Sequence, residues 1–190
     1  MLRLLLIGFA LIFVFPFSVS QSSPSAIENA IVYYRYLRPN QVVELVQYST
    51  DHGALRCYKY DLRGLPHATI VTKDSIKDIL YAHKAYTARK RASHDFDLYP
   101  LDSLKQVKYA IQKQGVVSFL DKPCEIYELS NLSDSIDSVV VWLYAGLEIR
   151  RITTYADGSR VDLIATYIDE NPVISPRTFT VPNHFKLIKK

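Results

Sequence analysis

Five histidines are the residues of this 190-residue chain best suited to metal binding or acid–base catalysis. No two of them are three to five positions apart, and no H-x-x-x-H, C-x-x-C or H-E-x-x-H spacing occurs. Local spacing of this kind is what places two ligands on one metal ion, so no metal site is predicted. A site assembled in space, such as His52 with His94 and Asp95, stays open as an alternative.

Nucleophilic catalysis would need an activated serine or cysteine, and the sequence has neither signature. Residues 158–159 are not part of G-x-S-x-G, and residues 103–105 do not complete S-x-x-K. The six glycines are too scattered for a phosphate-binding loop. Cys124 follows a proline inside a strand-like run, which favours a buried or disulfide-linked cysteine over a reactive thiol. We therefore predict no enzymatic activity, no cofactor and no metal.

The two cysteines, Cys57 and Cys124, each lie in a strand-like run. A disulfide between them is one interpretation, since the chain is expected to reach an oxidising compartment. Free cysteine is also among the most buried residue types, so two buried thiols are the equal alternative. The sequence does not fix the distance between the two residues, and both interpretations stay open.

Residues 139–168 are predicted to form a three-strand antiparallel meander. Residues 139–144 are almost all apolar, β-branched or aromatic, which is typical of a strand covered on both faces. Residues 145–146 form the first turn, and Asp157 with Gly158 supplies the positive φ angles of a tight hairpin. Large side chains with polar tips alternate along the first strand and suit a cavity wall that meets lipid and water. The predicted ligand-binding wall is Phe119, Tyr127, Val140, Trp142, Tyr144, Ile149 and Tyr155, with ordinary core packing of all seven as the alternative.

Residues 1–20 have the pattern of a secretory signal. One arginine precedes an apolar run at residues 4–15, and small residues precede the predicted cleavage site after Ser20. The run of about a dozen residues is shorter than the roughly 20 that a membrane span needs. We expect residues 21–190 to form one exported domain without a membrane span.

The net charge argues against a nucleic-acid partner. The full chain carries 23 basic and 19 acidic residues, a formal charge of +4. The densest basic cluster, residues 84–91, is followed at once by Asp95 and Asp97. A nucleic-acid-binding protein normally shows a stronger basic face or a recognition motif.

The remaining elements are mostly strands with one clear helix. Residues 101–114 predict a helix, because Leu101, Leu104, Val107 and Ile111 recur at helical spacing and Gly115 is placed to end it. Residues 29–37 and 75–91 each fit a helix or strands. β-Branched and aromatic residues favour a strand at residues 29–37, and the β-rich surroundings favour a hairpin at residues 75–91. Further strands are predicted at residues 41–48, 54–60, 68–72, 116–120, 125–129, 178–181 and 184–188.

The order and spacing of several segments resemble the LolA/LolB-like superfamily of exported proteins, and most closely its small periplasmic LolA-like members. The segments that carry the likeness are residues 48–53, 84–88, the helix into Gly115, residues 120–127, 141–144 with Gly146, and residues 179–185. The resemblance implies a mainly β fold of the α+β class, an open curved antiparallel sheet (an unclosed barrel) with one or two helices covering its concave face. It also implies a periplasmic, non-enzymatic protein that binds an apolar ligand, such as an acyl chain or a lipoprotein. The alternative is an envelope protein–protein interaction or scaffold module with a filled core.

Overall fold

The computed structural model describes residues 27–91, 110–130, 132 and 134–188. The predicted signal segment, residues 101–109 of the predicted helix, and both His94 and Asp95 lie outside these ranges. The described chain forms one twelve-stranded sheet in the order β12-β6-β5-β4-β3-β2-β1-β11-β10-β9-β8-β7. The strands are β1 (Ala30–Arg38), β2 (Gln41–Thr50), β3 (Leu55–Leu62), β4 (Leu65–Val71), β5 (Ser75–Leu80), β6 (Ala85–Lys90), β7 (Gln112–Phe119), β8 (Lys122–Leu129), β9 (Ile136–Tyr144), β10 (Leu147–Tyr155), β11 (Arg160–Glu170) and β12 (Lys186–Leu187).

Neighbouring strands are antiparallel except for β12, which runs parallel to β6. β7 and β12 stand at opposite edges, so the curved sheet is open. This confirms the predicted mainly β architecture. The described residues contain three short 3₁₀ segments and no α-helix, so the predicted helical cover is not confirmed.

Both segments that fitted a helix or a strand are strands. In β1, Ala30, Val32 and Tyr34 are buried while Tyr33 is 42% exposed, which is the period of two that a strand requires. Residues 75–91 form the β5–β6 hairpin, with Ile79 opposite Tyr86. The segment at residues 29–37 is a strand because β1 pairs with both β2 and β11. This pairing satisfies the backbone hydrogen-bonding groups on both sides of the strand.

The helix predicted over residues 101–114 is wrong for residues 112–114, which belong to β7. Gln112 and Lys113 already pair with Glu128 and Tyr127 of β8. The register then shifts between Lys113 and Gly115, and Gly115 has φ of +152°. Gly115 therefore forms an irregularity within β7 rather than the end of a helix, since glycine tolerates this backbone conformation.

The C-terminal prediction needs a similar correction. Pro176–Phe179 form a 3₁₀ helix in place of the strand predicted over residues 178–181. Proline suits the first position of a helix, and the Ser175 hydroxyl oxygen accepts a hydrogen bond from the Arg177 N–H at 3.4 Å. The strand predicted over residues 184–188 is limited to Lys186–Leu187.

β10 and β11 pair over only part of their length. In the described sheet, residues 150–154 of β10 pair with residues 160–164 of β11. Residues 165–170 of β11 pair with β1 and not with β10. Apolar side chains fill the opening where β10 and β11 separate. We call this set the corner cluster: Ile27, Ala30, Val32, Tyr34, Cys124, Tyr144, Leu147, Ile149 and Ala165.

Two further apolar clusters lie away from the corner. The β9 cluster consists of Leu129, Val139, Val141 and Leu143. The strap cluster consists of Cys57, Ala68, Ile70 and Ile79, and residues of the C-terminal segment cover it, namely Phe179, Val181 and Phe185.

The two cysteines are not paired in the structure, which corrects the disulfide interpretation. Cys57 lies in the strap cluster and Cys124 in the corner cluster. Five strands, β2, β1, β11, β10 and β9, lie between β3 and β8. At roughly 4.8 Å per strand, six steps separate the two thiols by about 29 Å along the sheet. The alternative of two buried thiols fits this arrangement.

We expect neither thiol of the native protein to react with iodoacetamide, because both are buried and burial raises the pKa of each thiol above its ordinary value. After unfolding in guanidinium without a reductant, both should react, and mass spectrometry should count two added groups. Two added groups that appear only after reduction would contradict the unpaired state.

Candidate functional site

A group of polar side chains lies at the centre of one sheet face, which we call the Tyr34 face. Residues that are direct cross-strand partners share a face, and Tyr34 is the partner of Leu45 in β2 and of Ala165 in β11. Gln47 and Ser49 follow Leu45 at alternate positions of β2 and are 7% and 1% exposed. Tyr34 is 2% exposed. Three polar side chains are therefore buried among apolar strands, which requires that they find hydrogen-bond partners.

Tyr34 finds its partner in β10. Its hydroxyl donates to the Glu148 backbone oxygen at 2.5 Å, and it lies 3.3 Å from Oε1 of Gln47. Burial raises the pKa of Tyr34 well above its ordinary value, and the Glu148 charge raises it further. Tyr34 is thus a neutral hydrogen-bond donor that ties β1 to β10.

Glu148 and Arg151 form an ion pair on the same face. Arg151 Nη2 donates to Glu148 Oε2 at 2.6 Å. Residues three apart in a regular strand point to opposite faces, but the β9–β10 register shifts between Glu148 and Arg150. The bulge brings both side chains to one side. Burial lowers the pKa of Arg151, but the Glu148 charge and hydrogen bond outweigh it and keep the guanidinium charged.

Arg151 lies between apolar neighbours. Its direct cross-strand partners are Val141 in β9 and Leu163 in β11. Val141 belongs to the β9 cluster, and the half-buried Leu163 packs against the corner cluster. The Arg151 side chain keeps 31% of its surface exposed and Glu148 keeps 19%. This arrangement places a partly exposed cation between the buried Val141 and the half-buried Leu163.

The predicted wall residues do not form one surface. Phe119, Trp142, Tyr144 and Ile149 belong to the corner cluster or pack against it. Tyr127 packs against the β9 cluster instead. Its cross-strand partner is Val141, while Trp142 pairs with Ile126, so Tyr127 and Trp142 point to opposite faces. Val140 and Tyr155 are half-buried and belong to neither core cluster.

The members that do come together are closed off. Tyr144 and Ile149 are 9% and 0% exposed, as expected of packed core. The Arg150 guanidinium lies over the Trp142 ring, 4.8 Å from its centroid, and forms two hydrogen bonds with Asp162. A polar ion pair therefore covers Trp142 on the face opposite Arg151. This geometry favours the core-packing alternative for these residues.

The sequence did not reveal the polar group of Tyr34, Gln47, Ser49, Glu148 and Arg151. One signal was present, namely the consecutive arginines 150 and 151 in the second strand of the predicted meander. Alternation sends them to opposite faces, and each needs an acidic partner there. Those partners are Asp162 for Arg150 and Glu148 for Arg151.

Within the described ranges, no three His, Cys, Asp or Glu side chains are grouped so that they could hold a metal ion. His52 lies in an exposed turn with φ of +51°. Since His94 and Asp95 fall outside the described residues, the assembled His52 site is not tested. None of the described helices is long and apolar enough to cross a membrane.

The sequence matches no protein-family model and no curated protein. Its fold is nevertheless found in solved structures. An uncharacterized conserved protein from Thermus thermophilus aligns with 86% of this chain and 91% of its own, with a TM-score of 0.62 and 11% identity. The MucA/MucB complex of Pseudomonas aeruginosa aligns with 85% of this chain and 58% of the matched chain, with a TM-score of 0.53 and 11% identity. The chain thus spans little more than half of that second structure, and both matches show a shared fold.

Solved structures similar to this chain also include a putative outer membrane lipoprotein-sorting protein domain from Vibrio parahaemolyticus. It aligns with 80% of this chain and 89% of its own, at 14% identity and a TM-score of 0.39. A score this low does not establish a common fold by itself.

Proposed function

We propose that residues 21–190 are an exported, non-enzymatic binding protein that holds an apolar ligand, an acyl chain or a lipidated partner, on the Tyr34 face. The observation that carries the proposal is the Glu148–Arg151 ion pair on the Tyr34 face, whose side chains keep 19% and 31% of their surface exposed. Beside Arg151, Leu163 is apolar and half-buried. A surface with apolar walls and a few polar groups is typical of a small-molecule site.

The proposed periplasmic location rests on the sequence and not on the structure of the sheet. Residues 1–20 have the signal pattern, and the resemblance to LolA-like proteins favours the periplasm. A lipoprotein-carrier-like role fits this location, because an acyl chain that crosses an aqueous compartment must be shielded from water. Burying an acyl chain contributes about 0.8 kcal/mol per CH₂, so ten such groups supply about 8 kcal/mol before the costs of association.

Titration of the mature chain with a fluorescent acyl probe tests the proposal, and neighbouring residues of β11 provide a matched pair of variants. Leu163 and Ile164 are both half-buried and point to opposite faces, since their partners are Arg151 and Arg150. We expect Leu163→Gln to weaken probe binding by about tenfold, since it replaces apolar contact with an amide. Ile164→Gln should leave probe binding unchanged.

Thermal unfolding of both variants checks that they are folded. Equal weakening by the two substitutions would place the probe elsewhere than on the Tyr34 face. No saturable binding to the wild-type chain would overturn the proposal.

A second candidate is an envelope protein–protein interaction module with a filled core. The edge strand β7 favours it, because Val116 and Val117 are 48% and 40% exposed and β8 is its neighbour on one side alone in the described sheet. An open apolar edge can accept an extended segment of another protein as an added strand. The similar structure from Pseudomonas aeruginosa is itself a complex of two proteins. Cross-linking in the native envelope would favour this candidate if it captured one stoichiometric protein and the chain bound no acyl probe.

A further inference from the structure

We propose that the edge strand β7 pairs antiparallel with β7 of a second copy of this chain, with Val117 of one copy directly opposite Val117 of the other. The product is a two-fold symmetric dimer in which the two sheets continue into each other. The inference concerns an edge of the sheet and goes beyond the proposed ligand binding, on which it does not depend.

The exposure of the apolar residues in β7 is the first support. Val116 and Val117 are 48% and 40% exposed. Adjacent residues of a strand point to opposite faces, so β7 presents apolar surface on both faces of the sheet. In the described sheet, β8 is its neighbour on one side alone. An edge strand that is open in this way is a template for pairing with another strand.

The two edges of the sheet differ in their protection against such pairing. β12, at the other edge, is two residues long and contains Lys186, and short or charged edge strands resist association. β7 is eight residues long, and Lys113 is its one charged residue. The Lys113 ammonium forms an ion pair with Glu125 of β8. Residues 114–119 contain neither a charge nor a proline, so this part of β7 lacks the usual protection.

The hairpin that joins β7 to β8 determines which backbone groups of β7 point outward. Phe119 pairs with Lys122, and residues 120–121 between them both have positive φ, as a two-residue type I′ turn requires. The pair that flanks such a turn is hydrogen-bonded, and hydrogen-bonded and open positions alternate along the strand. The open positions are therefore Val116 and Ser118, whose N–H and C=O groups point away from β8.

One register satisfies these open groups in both copies. With Val117 opposite its own copy, Val116 of each chain lies opposite Ser118 of the other, and the two residues exchange both backbone hydrogen bonds. The half-buried Phe119 then lies beside Gly115 of the second copy. Apart from its chain neighbours, no described residue has an atom within 4 Å of the position that a Cβ at Gly115 would occupy. Aromatic rings stabilise a sheet when they pack over a glycine of the neighbouring strand, and this space admits the ring.

The same register avoids repulsion between the copies. It brings Lys113 of one copy to the same end of the strand pair as Asp121 of the other, and the two-fold axis repeats this at the second end. Since Lys113 keeps its ion pair with Glu125, the nearby Asp121 sets the direction of pairing more than the affinity. A parallel alignment would bring the two Lys113 side chains together, which is unfavourable. The matching groups all lie on β7 and its turn, so a second copy supplies a complementary partner.

Sedimentation velocity of the chain from Gln21 onward tests the inference. One pair of strands buries less surface than the roughly 1,200 Å² of a standard complex, so we expect a dissociation constant on the order of 10 μM. The wild-type chain should be a monomer about tenfold below this concentration and a dimer about tenfold above it.

Two variants of Val117 test the register. Val117→Lys and Val117→Glu each place like charges opposite each other, so each should weaken self-association by at least about tenfold. An equal mixture of the two variants should form a heterodimer, because the charges are then opposite. Val42→Lys is the control, since Val42 is 56% exposed and lies in β2, away from both edges of the sheet. It should dimerise as the wild-type chain does.

A wild-type chain that stays monomeric throughout this range would overturn the inference. Equal weakening by Val117→Lys and Val42→Lys, or no association in the mixture of the two Val117 variants, would also overturn it. A monomeric chain whose β7 instead cross-links to a different envelope protein would assign the edge to that protein and contradict pairing with a second copy.

Hydrogen exchange of the wild-type chain decides the question even if the Val117 variants do not fold. The amides of Val116 and Ser118 should exchange more slowly at a chain concentration that favours the dimer than at one that favours the monomer, because the proposed pairing protects them. Exchange rates at both amides that do not depend on chain concentration would contradict the inference.

Discussion

Replacement of Ile149 by alanine should lower the free energy of unfolding by about 2–5 kcal/mol. Ile149 is 0% exposed and belongs to the corner cluster, which fills the opening between β10 and β11. The substitution removes buried methyl and methylene groups and leaves a cavity that the strands around it cannot fully close. Chemical denaturation followed by tryptophan fluorescence measures the change, because Trp142 packs against this cluster.

Val42→Ala is the control for this prediction. Val42 is 56% exposed in β2, so its substitution should change the free energy of unfolding by no more than about 0.5 kcal/mol. A similar small effect for Ile149→Ala would mean that the corner cluster does not hold the sheet together.

Tyr34→Ala should be destabilising by about 3–5 kcal/mol, the range for removing a buried aromatic ring. Tyr34→Phe keeps the ring and removes the hydrogen bond to the Glu148 backbone oxygen, at a cost of about 1–3 kcal/mol. Tyr33 is the control, since it is the adjacent residue, points to the opposite face and is 42% exposed. Tyr33→Phe should change stability by less than about 0.5 kcal/mol.

The pH dependence of Tyr34→Phe gives a second readout. Burial raises the pKa of Tyr34 above the ordinary 10.0, so the folded state keeps a proton that the unfolded state releases at high pH. The stability due to this residue is complete below the unfolded pKa and falls as the pH rises through the folded pKa. Tyr34→Phe should therefore lose less stability than the wild-type chain in alkaline solution. An unchanged alkaline slope would contradict the burial of the Tyr34 hydroxyl.

Local patterns were enough to predict most of the strands. The apolar meander and the turn at Ala145 and Gly146 follow from residue types and spacing. Both turn residues have positive φ, as a tight hairpin of this kind needs. These features depend on neighbours in sequence, which is why one sequence is enough to predict them.

The faces of the strands could not be predicted in the same way. A wall of Tyr127 and Trp142 assumes a β8–β9 register that puts both on one face, whereas Tyr127 pairs with Val141 and Trp142 with Ile126. A register change of one residue moves a side chain to the other face. The bulge between Glu148 and Arg150 likewise brings Glu148 and Arg151 to one face. The Tyr34–Glu148 hydrogen bond joins residues 114 positions apart, so no local pattern records it.

The most direct test of the central claim is the mass of the intact protein as it is purified. The chain from Gln21 onward would be secreted by an exporting host, purified without detergent, and examined by native mass spectrometry before and after organic extraction. We predict a stoichiometric mass excess that disappears on extraction and is recovered as an acyl compound. A bare chain mass before extraction, together with no uptake of added fatty acid, would contradict the ligand-binding function.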